Sequence, residues 1–154
     1  MALYGRVIVE ATQILIDGEK KMTNAEAIEL VKGKYAAFGR GDMAALLEGV
    51  DENVEWTVPG PDTVAACGVY HGPQGVASFF SRIAETLKFD VFDPQEFIAA
   101  DNQVVALGHM AGTVIATGKP FGYGWSMVFT FEGDKLVKFR EYYDTANLIE
   151  ASSK

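Results

Sequence analysis

The chain predicts an α+β fold in which a helical layer lies on one face of a curved antiparallel sheet. Three observations carry that expectation. Apolar residues recur at helical intervals in the first half of the sequence, and bulky residues alternate with small ones in the second half. The turn signals between the later segments are short, which implies antiparallel neighbours.

Taken in order, Val7, Ile8, Val9, Ile14, Leu15 and Ile16 are β-prone and lead into a turn at Gly18-Glu19-Lys20-Lys21. Residues 1–21 therefore read as an extension, an edge strand or arm, ahead of a single domain over 22–154. Thr23 and Glu26 have capping-box spacing, and Ile28, Val31, Tyr35 and Phe38 mark one face of a helix ended by Gly39 and Gly41. Asp42 can cap a short second helix from Met43 to about Glu48, with Leu46 and Leu47 turned inward. Val54 to Val58 is a short strand halted by Pro59-Gly60-Pro61-Asp62. Gly72-Pro73 opens a third helix whose Val76, Phe79, Phe80, Ile83 and Leu87 form a wide apolar stripe.

That stripe needs a large surface to lie on. β-prone runs at about 89–99, 103–116, 121–132 and 135–143 supply it, joined by turns at Asp101-Asn102, Gly118-Lys119-Pro120 and Gly133-Asp134. In the third run Phe121, Tyr123, Trp125, Met127, Phe129 and Phe131 share one face, opposite Gly122, Gly124, Ser126, Val128 and Thr130. A bent sheet under a helical lid commonly leaves a cavity where the lid is incomplete. Asp144-Thr145 starts a short terminal helix containing Leu148 and Ile149.

Composition bounds the function. The 154 residues suit one domain with a sizeable core, and no apolar run approaches the roughly 20 residues of a membrane helix. A net charge of −8 repels a phosphate backbone, and the basic residues Lys135, Lys138 and Arg140 are interleaved with Asp134 and Glu141. Nucleic acid and membrane are not expected partners. Cys67 is the only cysteine, so no intrachain disulfide can form, and Arg6, Glu10, Gln13 and Asp17 interrupt any signal-peptide core in residues 1–21. A soluble cytoplasmic protein is the expectation. Two separated histidines and one cysteine make no metal cluster, and Gly122 and Gly124 lack the third glycine and helix of a dinucleotide site, so no metal or cofactor is implied.

One acidic side chain interrupts an apolar stripe. Val137, Phe139, Glu141 and Tyr143 alternate with Leu136, Lys138, Arg140 and Tyr142, which points Glu141 the same way as its apolar neighbours. It is either a charge at the mouth of a pocket or a carboxylate held inside one. Desolvation in the second case raises its pKa and lets it trade protons near neutrality.

The order of these segments resembles the NTF2-like superfamily, particularly the branch grouped with ketosteroid isomerases and SnoaL-type polyketide cyclases. The resemblance covers about residues 22–150. Its carriers are the Tyr35 helix ending in Gly41-Asp42, the run Asp51-Glu52-Asn53-Val54-Glu55-Trp56, the step His71-Gly72-Pro73 into the Val76/Phe79/Phe80 helix, and the stretches Gly133-Asp134-Lys135-Leu136-Val137 and Arg140-Glu141-Tyr142-Tyr143-Asp144. It implies a cone-shaped α+β barrel, a strongly curved antiparallel sheet around N-terminal helices with an apolar pocket inside, and a homodimer. By the same matching, the isomerase base falls at or beside Trp56, its oxyanion-hole acid near Met127, and its hole tyrosine one residue from Tyr35. Tryptophan cannot abstract a proton, so ketosteroid isomerase chemistry is not predicted. One catalytic carboxylate of limonene-type epoxide hydrolases falls at Glu141, while their partner Arg and Asp fall near Gly108 and Met110.

The expected function is binding of a hydrophobic or polycyclic small molecule, with cofactor-free acid/base chemistry of an isomerase, cyclase, dehydratase or hydrolase type. Glu141 is the candidate titrating group. Tyr35, otherwise a core tyrosine, and His109, whose face is ambiguous, are candidate polar helpers. Trp56, Tyr123, Trp125, Met127, Phe129, Phe139 and Tyr143 are the expected substrate-binding wall. The alternative is a non-catalytic binding or dimerisation module whose own aromatics fill the cone.

Overall fold

The computed structural model describes residues 21–154; the expected edge strand or arm at the N-terminus lies outside the described residues but for Lys21. Ten elements follow in chain order: α1 (Asn24–Gly39), α2 (Met43–Leu47), β1 (Val50–Val58), β2 (Gly68–His71), α3 (Gly72–Thr86), β3 (Leu87–Ala100), β4 (Gln103–Val114), β5 (Pro120–Glu132), β6 (Lys135–Tyr143) and α4 (Thr145–Ser152). The helix starts follow the local chemistry. Thr23 and Glu26 form the reciprocal capping box of α1, Asp42 accepts from the Ala45 N–H to cap α2, and Asp144 accepts from the Asn147 N–H to cap α4.

The six strands form one sheet in the order β2-β1-β6-β5-β4-β3. Every neighbouring pair is antiparallel except β1 and β6, which are parallel and set Trp56 beside Phe139. Among the described residues β2 and β3 are each paired on one side only, so the sheet curls without closing. Extra residues in β3 at Asp90 and Gln95 break its register with β4, and bulges of this kind bend a strand. The concave face receives α1 against β3 and β4, and α3 against β1 and β2.

The alternation in β5 translates directly into burial. Phe121, Tyr123, Trp125, Met127, Phe129 and Phe131 are all buried in the main core, together with Val31 of α1, Val76 and Phe79 of α3 and Leu136 of β6. In β6 the inward face differs from simple alternation by one residue. Lys138 pairs with Thr130 but Leu136 pairs with Phe131, so Val137 is the extra residue of a bulge, and Leu136 rather than Val137 is fully buried. From Phe139 onward the expected phase holds, with Phe139 and Glu141 buried and Lys138 and Tyr142 exposed.

Candidate functional site

Between the concave sheet and the helices lies a cavity of about 290 Å3. Its floor is aromatic and buried: Trp56 of β1 stacks on Phe139 of β6 at 3.8 Å between centroids, and Phe139 meets Phe129 of β5 edge-on at 5.1 Å. Its rim is marked by the wall residues that reach solvent. These are Thr63 and Ala65 before β2, Glu85 at the end of α3, and Ile115 and Ala116 after β4. The mouth therefore opens where the β1–β2 connection faces the C-terminal end of α3.

Glu141 lines this cavity and is only 6% exposed. It lies directly across from Met127 on β5, one inward position beyond Phe139 on its own strand. Among the described residues its carboxyl has no hydrogen-bond or ion-pair partner. Burial in this apolar setting pushes its pKa from the ordinary 4.5 up to about 8. The group is thus protonated over most of the neutral range and ionises just above it.

Tyrosines surround it. Tyr35 of α1 donates its hydroxyl to Met127 Sδ at 3.1 Å, which sets the phenol over the residue that opposes Glu141. Burial and, second, the nearby Glu141 charge hold the Tyr35 and Tyr123 hydroxyls well above their usual pKa, so both remain neutral donors. Trp56 carries a buried indole N–H without a partner among the described residues. The cavity is therefore apolar with a few unspent polar groups, the usual make-up of a small-molecule site.

Tyr143 is committed elsewhere. Its hydroxyl lies 2.6 Å from the Pro59 carbonyl and 3.1 Å from Cys67 Sγ. A carbonyl can only accept, and the shorter bond takes the single phenolic proton, which leaves the Cys67 thiol to donate to the Tyr143 oxygen or, at 3.3 Å, to the same Pro59 carbonyl. Burial raises the thiol's pKa, outweighing the hydrogen bond with Tyr143, which by itself would lower it. Lys34 is buried too, and its ammonium donates to the Leu46 and Glu48 carbonyls at 3.0 and 2.7 Å, closing the end of α2.

The expected residues thus divide. Glu141, Tyr35, Trp56, Tyr123, Met127, Phe129, Phe139 and Tyr143 all border the cavity. His109 does not: inward positions of β4 are Val104, Ala106 and Met110, and His109 falls on the opposite, exposed face. Trp125 is also corrected. It is buried, but it packs beneath Phe92 and Tyr35, stacking on the former at 5.4 Å, and forms no part of the cavity wall. Cys67 and the wall it shares with Thr63–Ala66 were not foreseen. The only signal for them was their place just after a turn whose far strand was itself unrecognised.

Residues 31–139 match the SnoaL-like domain family, well over half of the chain. The chain belongs to that family. An NTF2-like protein from Burkholderia xenovorans LB400 is 31% identical to this SnoaL-like protein, with 86% of this chain and 99% of that one covered and a TM-score of 0.79. An uncharacterised protein of Mycobacterium tuberculosis strain H37Rv is 27% identical over 124 residues, 79% of this chain and 92% of its own length. TerC, crystallised with polyporic acid, shares the fold at 24% identity and a TM-score of 0.71, over 82% of this chain and 98% of its own. Among the described residues no three His, Cys, Asp or Glu side chains are grouped to hold a metal ion, and no helix is long and apolar enough to cross a membrane.

Proposed function

We propose that this SnoaL-like protein binds an apolar small molecule in the cavity and exchanges a proton with it through Glu141, using no cofactor. The observation that carries the reading is a buried, unpartnered carboxyl on the wall of an otherwise apolar hollow. Desolvating such a group is costly, and a ligand that hydrogen-bonds it recovers part of that cost. With a pKa of about 8, Glu141 serves as the acid below that pH and as the base above it. Tyr35 and Tyr123 offer neutral hydroxyls near charge developing on ligand oxygen. Isomerisation, cyclisation, dehydration and hydrolysis all draw on these same means.

A thermal-shift screen with polyketide-, steroid- and terpene-like compounds, polyporic acid included, tests the binding step. A ligand at about a hundred times its Kd stabilises the native state by roughly 2.7 kcal/mol. The hit is then incubated with wild type and Glu141→Gln and followed for product. Turnover by wild type and none by the variant supports the reading; equal turnover removes Glu141 from the mechanism. A second reading rests on the resemblance, which puts the isomerase base at or beside Trp56: binding without turnover, read as a thermal shift with no product. The homodimer implied by the resemblance belongs to the same proposal, and light scattering at twice the 16.7 kDa chain mass supports it.

A further inference from the structure

We infer that residues 59–67 are a gate across the cavity mouth and that Tyr143 is the positioning residue that holds the gate closed. The segment joins β1 to β2 and supplies five consecutive wall residues, Thr63 to Cys67. Thr63 and Ala65 face solvent at the rim, while Val64, Ala66 and Cys67 are buried against the interior. It has no strand or helix of its own. Two turn bonds shape it, from the Val64 N–H to the Pro61 carbonyl and from the Cys67 N–H to the Val64 carbonyl, both 3.0 Å.

What fastens this segment is unevenly distributed. Tyr70 donates to the Ala66 carbonyl at 2.9 Å, but Tyr70 lies on β2, directly after the segment, and acts at its hinge. The Cys67 thiol and the Pro59 carbonyl, 3.3 Å apart, bring the two ends of the segment together, and Tyr143 of β6, 84 residues from Pro59 in sequence, fastens that junction to the sheet through the 2.6 Å bond to Pro59 and the 3.1 Å contact with Cys67. Gly60 closes over this junction with φ at +144°, and a Cβ there would run into Cys67 Sγ and come within 3.1 Å of the Tyr143 hydroxyl. A short segment held by side-chain bonds rather than by a ladder opens locally, without unfolding the sheet behind it. The proposal concerns access to the cavity and is independent of what Glu141 does inside it.

Cys67, the single thiol, lets the gate be read. The wild type is alkylated with N-ethylmaleimide and with a bulky fluorescein maleimide, and the ratio of bulky to small rates is compared with those of Tyr143→Phe, Gly60→Ala and Tyr142→Phe. A change in thiol reactivity alone moves both rates together and leaves the ratio constant; an opened gate raises the ratio. The expected result is a rise of about fivefold or more in Tyr143→Phe and Gly60→Ala and none in Tyr142→Phe, whose side chain is on the exposed face. An unchanged ratio in folded Tyr143→Phe overturns the gate. Hydrogen exchange on the wild type needs no variant. Val64 and Cys67 amides should exchange through openings insensitive to denaturant, while Phe129 and Phe139 exchange only on global unfolding. Global-only exchange at 64 and 67 also overturns it.

Discussion

The two faces of the β4–β5–β6 sheet set two polar side chains in opposite surroundings. On the concave face Glu141 is walled by Met127, Phe139 and Tyr143 and keeps its proton; on the convex face His109 stands in solvent between Asp93 of β3 and Gly124 of β5. Both come from strands rich in apolar residues. What separates them is the parity of their position along a strand, and that parity decides whether water or protein solvates the group. A side chain with ordinary chemistry becomes a proton-transfer candidate by being placed where it cannot be hydrated.

The largest expected effect follows from the inner face. If Glu141 moves the proton, Glu141→Gln lowers turnover of an identified substrate by about 10²- to 10⁴-fold, the range for a general acid or base, while circular dichroism stays the same. The same substitution alters the pH dependence of stability, and here the sign can be worked out. Below pH 4.5 the carboxyl is protonated whether the chain is folded or not. Between 4.5 and about 8 the unfolded chain has lost the proton and the folded one retains it, so stability falls with rising pH, by about 1.4 kcal/mol per unit at most. Above about 8 the loss is complete. Urea unfolding at pH 5 and pH 8 should therefore show wild type losing several kcal/mol relative to Glu141→Gln. Parallel curves for the two proteins would mean that Glu141 is hydrated after all, and the contrast between the faces would collapse.

Glycines sharpen the comparison at a smaller scale. Gly108 points inward on β4, where an added Cβ would strike the Trp125 ring and the Asp93 carbonyl, whereas at Gly124 on the outer face the nearest atom is 3.7 Å away. Overpacking a filled interior costs typically 1–3 kcal/mol, so Gly108→Ala should lose about that much in a denaturant melt. Gly124→Ala should stay within about 0.5 kcal/mol of wild type.

How much of this was legible beforehand depended on whether the signal was local. Capping at Thr23, Asp42 and Asp144 is written within three or four residues, and those helices begin where the side chains dictate. The strict alternation of β5 likewise reveals its inner face. By contrast β2 is four residues long and begins with glycine, too short for a period to register. The parallel contact of β1 with β6 links segments about eighty residues apart, and turn lengths say nothing about such pairs. The Val137 bulge slips the phase of β6 by one, yet Glu141 lies beyond it, which is why its inward direction was readable. His109 was ambiguous because β4 has apolar residues on both faces. Trp125 was placed on the right face but in the wrong layer, since α1 and β3 bring Tyr35 and Phe92 over its ring, a contact that no strand pattern encodes.

The smallest expected effect tests the outer face. His109→Gln removes an imidazole from a position that does not border the cavity, and an exposed substitution away from special features changes stability by no more than about 0.5 kcal/mol. Turnover and its pH profile should match wild type, while Glu141→Gln abolishes the same activity. A shift of the profile in His109→Gln would mean that protons cross the sheet between its two faces.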